Sequence, residues 1–367
     1  MSTIPKTPEE ILATSVMDPE FEAAWKARGS PSGTMPTDVA TLKRMVDDSL
    51  PGLQCCLVAS RPSDITETEH AVPLSTGFSS RVLVVSHTTI TTHQQKPPPS
   101  PVIILFHGGI HVLGHPEFDV PLARQLALTH NVTVILPSTR KAPKHPFPAT
   151  IEDAWALLQT IARDATTTSP ERTILPPNAD PAAGFIVGGT SAGANVADVV
   201  AHLARDTNLT PLLTGAFLAC GAFIDPGHVP QRYRAHYLSR EQNRSAPVAD
   251  EDFMRAFREA AVARADATSP LWAPFVQQPN RLDDDGIIAA GHKGMPRTYF
   301  QVCGMDVNRD DGLIYERVLR EECGLPTRLD LYSGFPHCWW DMYPELEASK
   351  KRMEHTMAGF AWLLSGE

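Results

Sequence analysis

Several short stretches of this chain carry residue types suited to acyl transfer. Gly189-Thr190-Ser191-Ala192-Gly193 fits the pattern G-x-S-x-G and lies between an apolar run and a helix-forming run. A serine in that setting sits on a sharp strand-to-helix turn that projects its hydroxyl. The flanking glycines are needed because side chains there would collide with neighbouring backbone. The bland alternative is a glycine-rich turn with no chemistry. Upstream, Phe106-His107-Gly108-Gly109 follows a second apolar run. Acyl transfer builds negative charge on a carbonyl oxygen, and losing one N–H donor aimed at it costs roughly 3–4 kcal/mol. Gly108 and Gly109, with the N–H of Ala192 as a third donor, are the candidates. His-Gly-Gly alone is also a plain turn; its place upstream of the serine favours the oxyanion reading. His107 is read as part of the loop architecture, not as the base.

A serine nucleophile needs a base, and the base needs an acid to orient it. On a strand–turn–helix scaffold of this kind they follow in the order serine, acid, histidine. Asp306 lies past one strand-like run and His337 past the next. His337 would take the serine proton and return it to the leaving group. Asp306 would hold the imidazole tautomer. Asp310 and Asp311 compete for the acid role but are expected to cap the helix that follows. Trp339 and Trp340, beside His337, have two readings: they line a pocket or brace the loop from behind. Ile110, Thr190 and Trp339 are taken as pocket candidates.

These residues need elements to position them. Residues 102–106, 132–136, 184–187, 215–220, 298–303 and 328–332 read as buried strands, continuously apolar or nearly so, as in a parallel sheet covered on both faces. Helical patterns at 120–129, 150–162, 192–205, 310–323 and 344–364 alternate with them. This predicts an α/β fold, a mostly parallel sheet with right-handed crossovers. Ser191, Asp306 and His337 then all fall in loops past strand C-termini, where such a sheet places its site. The first fifty residues read as short helices. Thr7-Pro8-Glu9-Glu10 suggests a capping box, Asp18-Pro19 a second start, Gly29 a stop, and a third helix spans 38–50 before Pro51-Gly52. Residues 53–93 read as strands, and 94–101 as a polar, proline-rich exposed loop. Residues 225–294 show helix but little strand pattern and interrupt the alternation. The expected organisation is N-terminal cap helices over 1–52, a catalytic core over 53–224 and 295–367, and a cap insertion over 225–294.

The composition excludes several other classes. The 367 residues hold 32 Lys+Arg against 42 Asp+Glu, a net charge of -10, which disfavours nucleic acid and anionic membrane as partners. The sequence has no stretch long and apolar enough for a membrane span and no signal-peptide pattern at its start, so the reading is cytoplasmic. The six cysteines show no CxxC spacing, which predicts free thiols and no metal. Proline, at 33 residues against 23 glycines, marks stiff loops. Monomer and homodimer both stay open.

Taken in order, these motifs resemble the hormone-sensitive-lipase-like esterases. The likeness includes His107-Gly108-Gly109, the segment from Ala142 to Ala149, Gly189 to Asn195, Ser269-Pro270-Leu271, Asp306 with Asp310-Asp311-Gly312, and His337. It runs from about Phe78 to the C-terminus, and Ser239 to Asn243 is similar to fungal members, some of which tailor secondary metabolites. The resemblance implies an α/β-hydrolase fold, no cofactor, and a helical cap made from the N-terminus and the insertion. Four positions depart from the family pattern. Ile110 stands for a third glycine, which narrows the acyl side of the pocket. Thr190 stands for an acid, residues 139–144 replace a characteristic segment, and Cys338 stands for a glycine. Together they suggest a dedicated substrate. The leading expectation is a serine carboxylic-ester hydrolase acting on a small or medium specialised-metabolite ester. The same residues could serve an acyltransferase or lactone-forming enzyme, and a non-catalytic ligand-binding member of the fold is the third reading.

Overall fold

The apolar runs of the sequence form the middle of one twisted sheet. The computed structural model describes residues 4–30, 37–88, 98–167, 172–276 and 291–366. Among them the strands are β1 (Ile65–Pro73), β2 (Ser79–His87), β3 (Val102–Phe106), β4 (Thr133–Pro137), β5 (Phe185–Thr190), β6 (Gly215–Ala219), β7 (Arg297–Cys303) and β8 (Thr327–Tyr332). Their order is β1-β2-β4-β3-β5-β6-β7-β8. The β1–β2 and β2–β4 pairs are antiparallel and the others parallel. Strands β3, β4 and β6 are buried along their whole length because successive side chains enter opposite cores. In β3, Val102, Ile104 and Phe106 join one cluster while Ile103 and Leu105 join the other.

The helices begin with α1 (Pro8–Ala13), α2 (Pro19–Ala27) and α3 (Val39–Ala59). The Thr7–Glu10 capping box forms, and Asp18 caps α2. The expected break before Pro51 does not occur: α3 runs through Pro51 to Ala59, and strand begins only at Ile65. A mid-helix proline costs about 3 kcal/mol. Here the following turns are anchored by tertiary contacts, since Leu57 packs into the core and Arg124 donates to the Leu57 carbonyl at 2.7 Å. A division between residues 52 and 53 therefore falls inside one helix.

Three crossover helices follow, α4 (Val120–His130), α5 (Ala149–Thr166) and α6 (Ala192–Asp206). Helices α5 and α6 cover one face of the sheet and α4 the other. The 225–294 stretch, in its described part, holds 3-10 turns, α7 (Ser239–Gln242) and α8 (Glu251–Ala261), and no strand. Phe253 and Phe257 of α8 cluster with Leu42 of α3 and with Val112 and Leu113. The N-terminal segment and the insertion thus meet above the strand ends. Residues 94–97 of the proline-rich loop and 277–290 of the insertion lie outside the described residues. The chain closes with α9 (Arg309–Arg317), prolonged by a π-helical turn at Val318–Glu322, then α10 (Trp339–Met342) and α11 (Glu347–Leu364). No described helix is long and apolar enough to cross a membrane.

Asp310 and Asp311 do not cap α9, whose N-cap, Asn308, makes no side-chain capping bond. Both carboxylates are fully buried and turned toward the insertion. Asp311 accepts from the Phe223 and Ile224 amides, both at 2.8 Å, and from the Tyr237 hydroxyl at 3.1 Å. Asp310 accepts from the Leu238 and Ser239 amides and from Arg309. Sequence proximity to a helix start suggested a local role; the tertiary partners outcompete it. Removing a carboxylate that satisfies two buried amides leaves them orphaned. Asp311→Ala is expected to lower unfolding free energy by roughly 2–4 kcal/mol, measured by urea denaturation; a change below 1 kcal/mol would contradict this role.

Candidate active site

Ser191 sits where β5 turns into α6, with backbone angles of φ 58° and ψ -121°. A non-glycine residue rarely holds such angles. The turn is fixed from several sides. The Ser191 amide donates to Ala219 O of β6 at 2.7 Å. A Cβ on Gly193 would lie 1.8 Å from Phe106 O, and one on Gly189 would lie 2.4 Å from the same oxygen. The two glycines of the motif thus exist so that β3, β5 and α6 can crowd together. That crowding also brings the loop after Phe106 against the serine.

His337 and Asp306 arrive from the loops after β8 and β7. His337 Nε2 lies 2.9 Å from Ser191 Oγ, and His337 Nδ1 lies 2.6 Å from Asp306 Oδ2. The second Asp306 oxygen accepts from the Asn308 amide at 2.8 Å. All three groups are buried, Ser191 at 8%, His337 at 7% and Asp306 at 1% exposure, so their interactions are weakly screened by water. Burial by itself lowers the His337 pKa. The adjacent Asp306 charge and hydrogen bond outweigh it and push His337 up to about 9.

The amides of Gly108, Gly109 and Ala192 find no acceptor among the described residues. Ala192 opens α6, so its N–H also carries the positive end of the helix. The loop bends through left-handed backbone at Ile110 and His111, φ 53° and 58°. His107 Nδ1 contacts Gly108 O at 2.8 Å, and burial holds the ring neutral, with its pKa lowered to about 3. This matches a place in the loop framework.

A cleft opens above Ser191, with Ile110, Phe223, Met254, Trp272, Arg240 and Arg258 among its walls. Ile110 stands on this wall. Thr190 ends β5 outside the cleft wall. Trp339 is a correction: it is fully buried among Phe335, Tyr332 and Tyr343, with its ring 4.5 Å from Phe335. It braces the His337 loop from behind. Trp340 stacks under Arg352 at 4.0 Å and does the same. The aromatic neighbours of His337 serve its position because the φ 50° turn at Cys338 directs the following helix into the core.

Sequence reading missed the supports supplied by the insertion. Asn243 Nδ2 donates to the carbonyls of Asp306 at 2.8 Å and Gly304 at 3.2 Å, and Ser239 Oγ donates to Val307 O at 2.8 Å. The Ser239–Asn243 stretch therefore cradles the acid loop. Asn195, one turn beyond Ser191, donates to Ala222 O and Trp272 O, both at 2.8 Å, and so ties both ends of the cleft wall to α6. The resemblance of 239–243 to family members was the available signal; a hydrogen bond across some sixty residues of chain leaves no local pattern.

The fold and site define an α/β hydrolase with a serine–histidine–aspartate constellation at the strand ends. A family model described as the alpha/beta hydrolase fold matches residues 103–341, and the chain belongs to this family, in its hormone-sensitive-lipase-like branch. An AB hydrolase superfamily protein of Schizosaccharomyces pombe is 28% identical over 95% of this chain and 94% of its own. A versiconal hemiacetal acetate esterase of Dothistroma septosporum is 27% identical, covering 72% and 74%. Among solved structures, a vibralactone cyclase is 27% identical and covers 96% of each chain with a TM-score of 0.80.

The close approach at Gly193 yields a test. Gly193→Ala must push Phe106 away and drag the Gly108–Gly109 loop with it. The expected cost is at least about 2 kcal/mol of stability, read from the thermal midpoint. Gly52→Ala, which meets nothing within 4 Å, is the control and should change little.

Proposed function

We propose that this protein is a serine carboxylic-ester hydrolase whose nucleophile is Ser191. The observation that carries the reading is the unbroken hydrogen-bonded chain from Ser191 through His337 to Asp306 at the floor of a cleft. His337 withdraws the Ser191 proton as Oγ attacks the ester carbonyl, and Asp306 stabilises the imidazolium that results. The amides of Gly108, Gly109 and Ala192 receive the oxyanion. His337 then protonates the leaving alkoxide, and water activated by the same imidazole releases the acid from the acyl-enzyme. No step calls on a cofactor. Esterases among the relatives support the reaction class.

The walls of the cleft support a compact, partly apolar substrate. Ile110, Phe223, Met254 and Trp272 supply apolar surface, and Arg240 and Arg258 supply donors. Small or medium esters of specialised metabolites fit that lining, and the fungal esterase relative agrees with it. The N-terminal helices and the insertion act as a cap in this reading, since α3 and α8 share one apolar cluster over the site. A second reading keeps the acyl-enzyme but captures it with an alcohol or carbon nucleophile of the substrate. The likeness to vibralactone cyclase favours it. Product analysis separates the two: hydrolysis in ¹⁸O-water labels the released acid, whereas capture gives an unlabelled lactone or ester.

Two measurements test the core of the proposal. With a p-nitrophenyl acyl series, Ser191→Ala is expected to lose turnover by at least about 10⁴-fold; activity surviving in the variant would sink the serine mechanism. The neutral imidazole is the base, and the His337 pKa is raised to about 9. The kcat/KM profile should therefore climb with pH through neutrality and level off near pH 9. Asp306→Asn removes the charge that holds the proton, so the residual activity should titrate at lower pH. An unmoved profile would remove Asp306 from its role.

A further inference from the structure

Three of the six cysteines meet behind the Ser191–His337–Asp306 chain. Cys220 follows β6 and is turned by a left-handed backbone, φ 51°, while its amide donates to Gln301 O of β7 at 2.9 Å. Cys303 is the last residue of β7 and is fully buried. Because β6 and β7 are parallel neighbours, both thiols emerge at the same end of the sheet, with Sγ atoms 3.2 Å apart. Cys338, half-buried beside His337, brings its Sγ within 4.8 Å of that of Cys220. The bland reading is that buried thiols pack as small hydrophobes. Two contacts go beyond packing. Asp306 N donates to Cys303 O at 3.3 Å, and Asn308 Nδ2 donates to Cys220 O at 3.5 Å. Each cysteine of the close pair is thus tied, through its backbone carbonyl, to the loop that carries the candidate acid.

We propose that Cys220 and Cys303 form an oxidation-sensitive dithiol that hydrogen peroxide closes to a disulfide, displacing the Asp306 loop and shutting down turnover. The Cys220 thiolate attacks one peroxide oxygen, the O–O bond breaks, and the departing hydroxide takes up the proton that the thiol gave to its surroundings and leaves as water. Cys303 sulfur then attacks the sulfenic sulfur of Cys220. The S–O bond breaks, and the hydroxyl leaves as water with the Cys303 proton. Two electrons pass from the thiols to peroxide, and two thiols plus one peroxide give one disulfide and two waters. Cys220 is the first attacker. Burial pushes its thiol up, but donors from Cys303 and Cys338 and the nearby His337 charge bring it well below the ordinary thiol range. A disulfide brings two sulfurs to about 2.05 Å, so closure draws the loop ends together by about 1 Å. A shift of that size in a reacting constellation costs roughly 100-fold in rate.

The bond itself stands apart from the proposed hydrolase activity; its effect on rate rests on that reading. The full chain, reduced and desalted, is treated with hydrogen peroxide and alkylated under denaturing conditions for peptide mapping. Fluorophosphonate labelling of Ser191 is timed in parallel. The expected result is a Cys220–Cys303 linked peptide, a roughly 100-fold slower labelling, and restoration of both by dithiothreitol. Cys303→Ala should give no linked peptide and no reversible slowing, with Cys303→Ser as the closer replacement should alanine fail to fold. Cys220 linked to Cys338, both thiols still free after labelling has slowed, or a linked peptide with labelling unchanged would each overturn the proposal. Untreated protein that never labels would count against the hydrolase reading alone, and the peptide map would still decide the dithiol.

Discussion

The left-handed turn at Ser191 is the constraint around which the other elements are arranged. Holding a serine at φ 58° costs on the order of 1–3 kcal/mol. The turn is held where β3, β5, β6 and the first turn of α6 crowd together: the Ser191 amide bonds to Ala219 O, and neither Gly189 nor Gly193 has room for a Cβ. The same crowding sets the Gly108–Gly109 loop against the serine and aligns the first amide of α6 with it. The candidate nucleophile and the candidate oxyanion donors are brought together by one packing arrangement.

The candidate acid and base reach that turn from the loops after β7 and β8, and those loops are held by contacts that Asp306 and His337 do not make themselves. Behind His337 stands the aromatic group of Trp339, Phe335, Tyr332 and Tyr343. Beneath Asp306 stand Asn243, Ser239 and the fully buried Arg309. The Arg309 guanidinium reaches Asp310, Ser15 and Gln242. Arg309 thereby joins the N-terminal segment, the insertion and the acid loop in a single network. Such buried polar networks are costly when partly satisfied and rigid when complete. This one has donors and acceptors from three separate parts of the chain.

Much of this was legible in the sequence because it is encoded locally. Continuous apolar runs identify strands buried on both faces. G-x-S-x-G and His-Gly-Gly mark turns where backbone must approach backbone. Ser191, Asp306 and His337 stand past the apolar runs that form β5, β7 and β8. The failures share a cause as well. Pro51 looks like a helix stop, yet α3 continues because Leu57 and Arg124 hold its last turns. Asp310 and Asp311 look like caps, yet the backbone amides they accept from lie about seventy residues or more away. Trp339 allows two readings, pocket lining or a brace behind the His337 loop, and only packing places it in the core.

The sequence by itself determined the α/β alternation, the turns at Ser191 and at Gly108–Gly109, and the candidate acid and base. Those features rest on periodicity, glycine placement and residue chemistry, all of which act within a few residues. Only the tertiary structure decided the rest. It brought His337 within 2.9 Å of Ser191, turned Asp310 and Asp311 toward the insertion, buried Trp339, and set Cys220 beside Cys303. Each of these depends on where distant segments meet, and a side chain's partner across the core is fixed by packing, which no local pattern records.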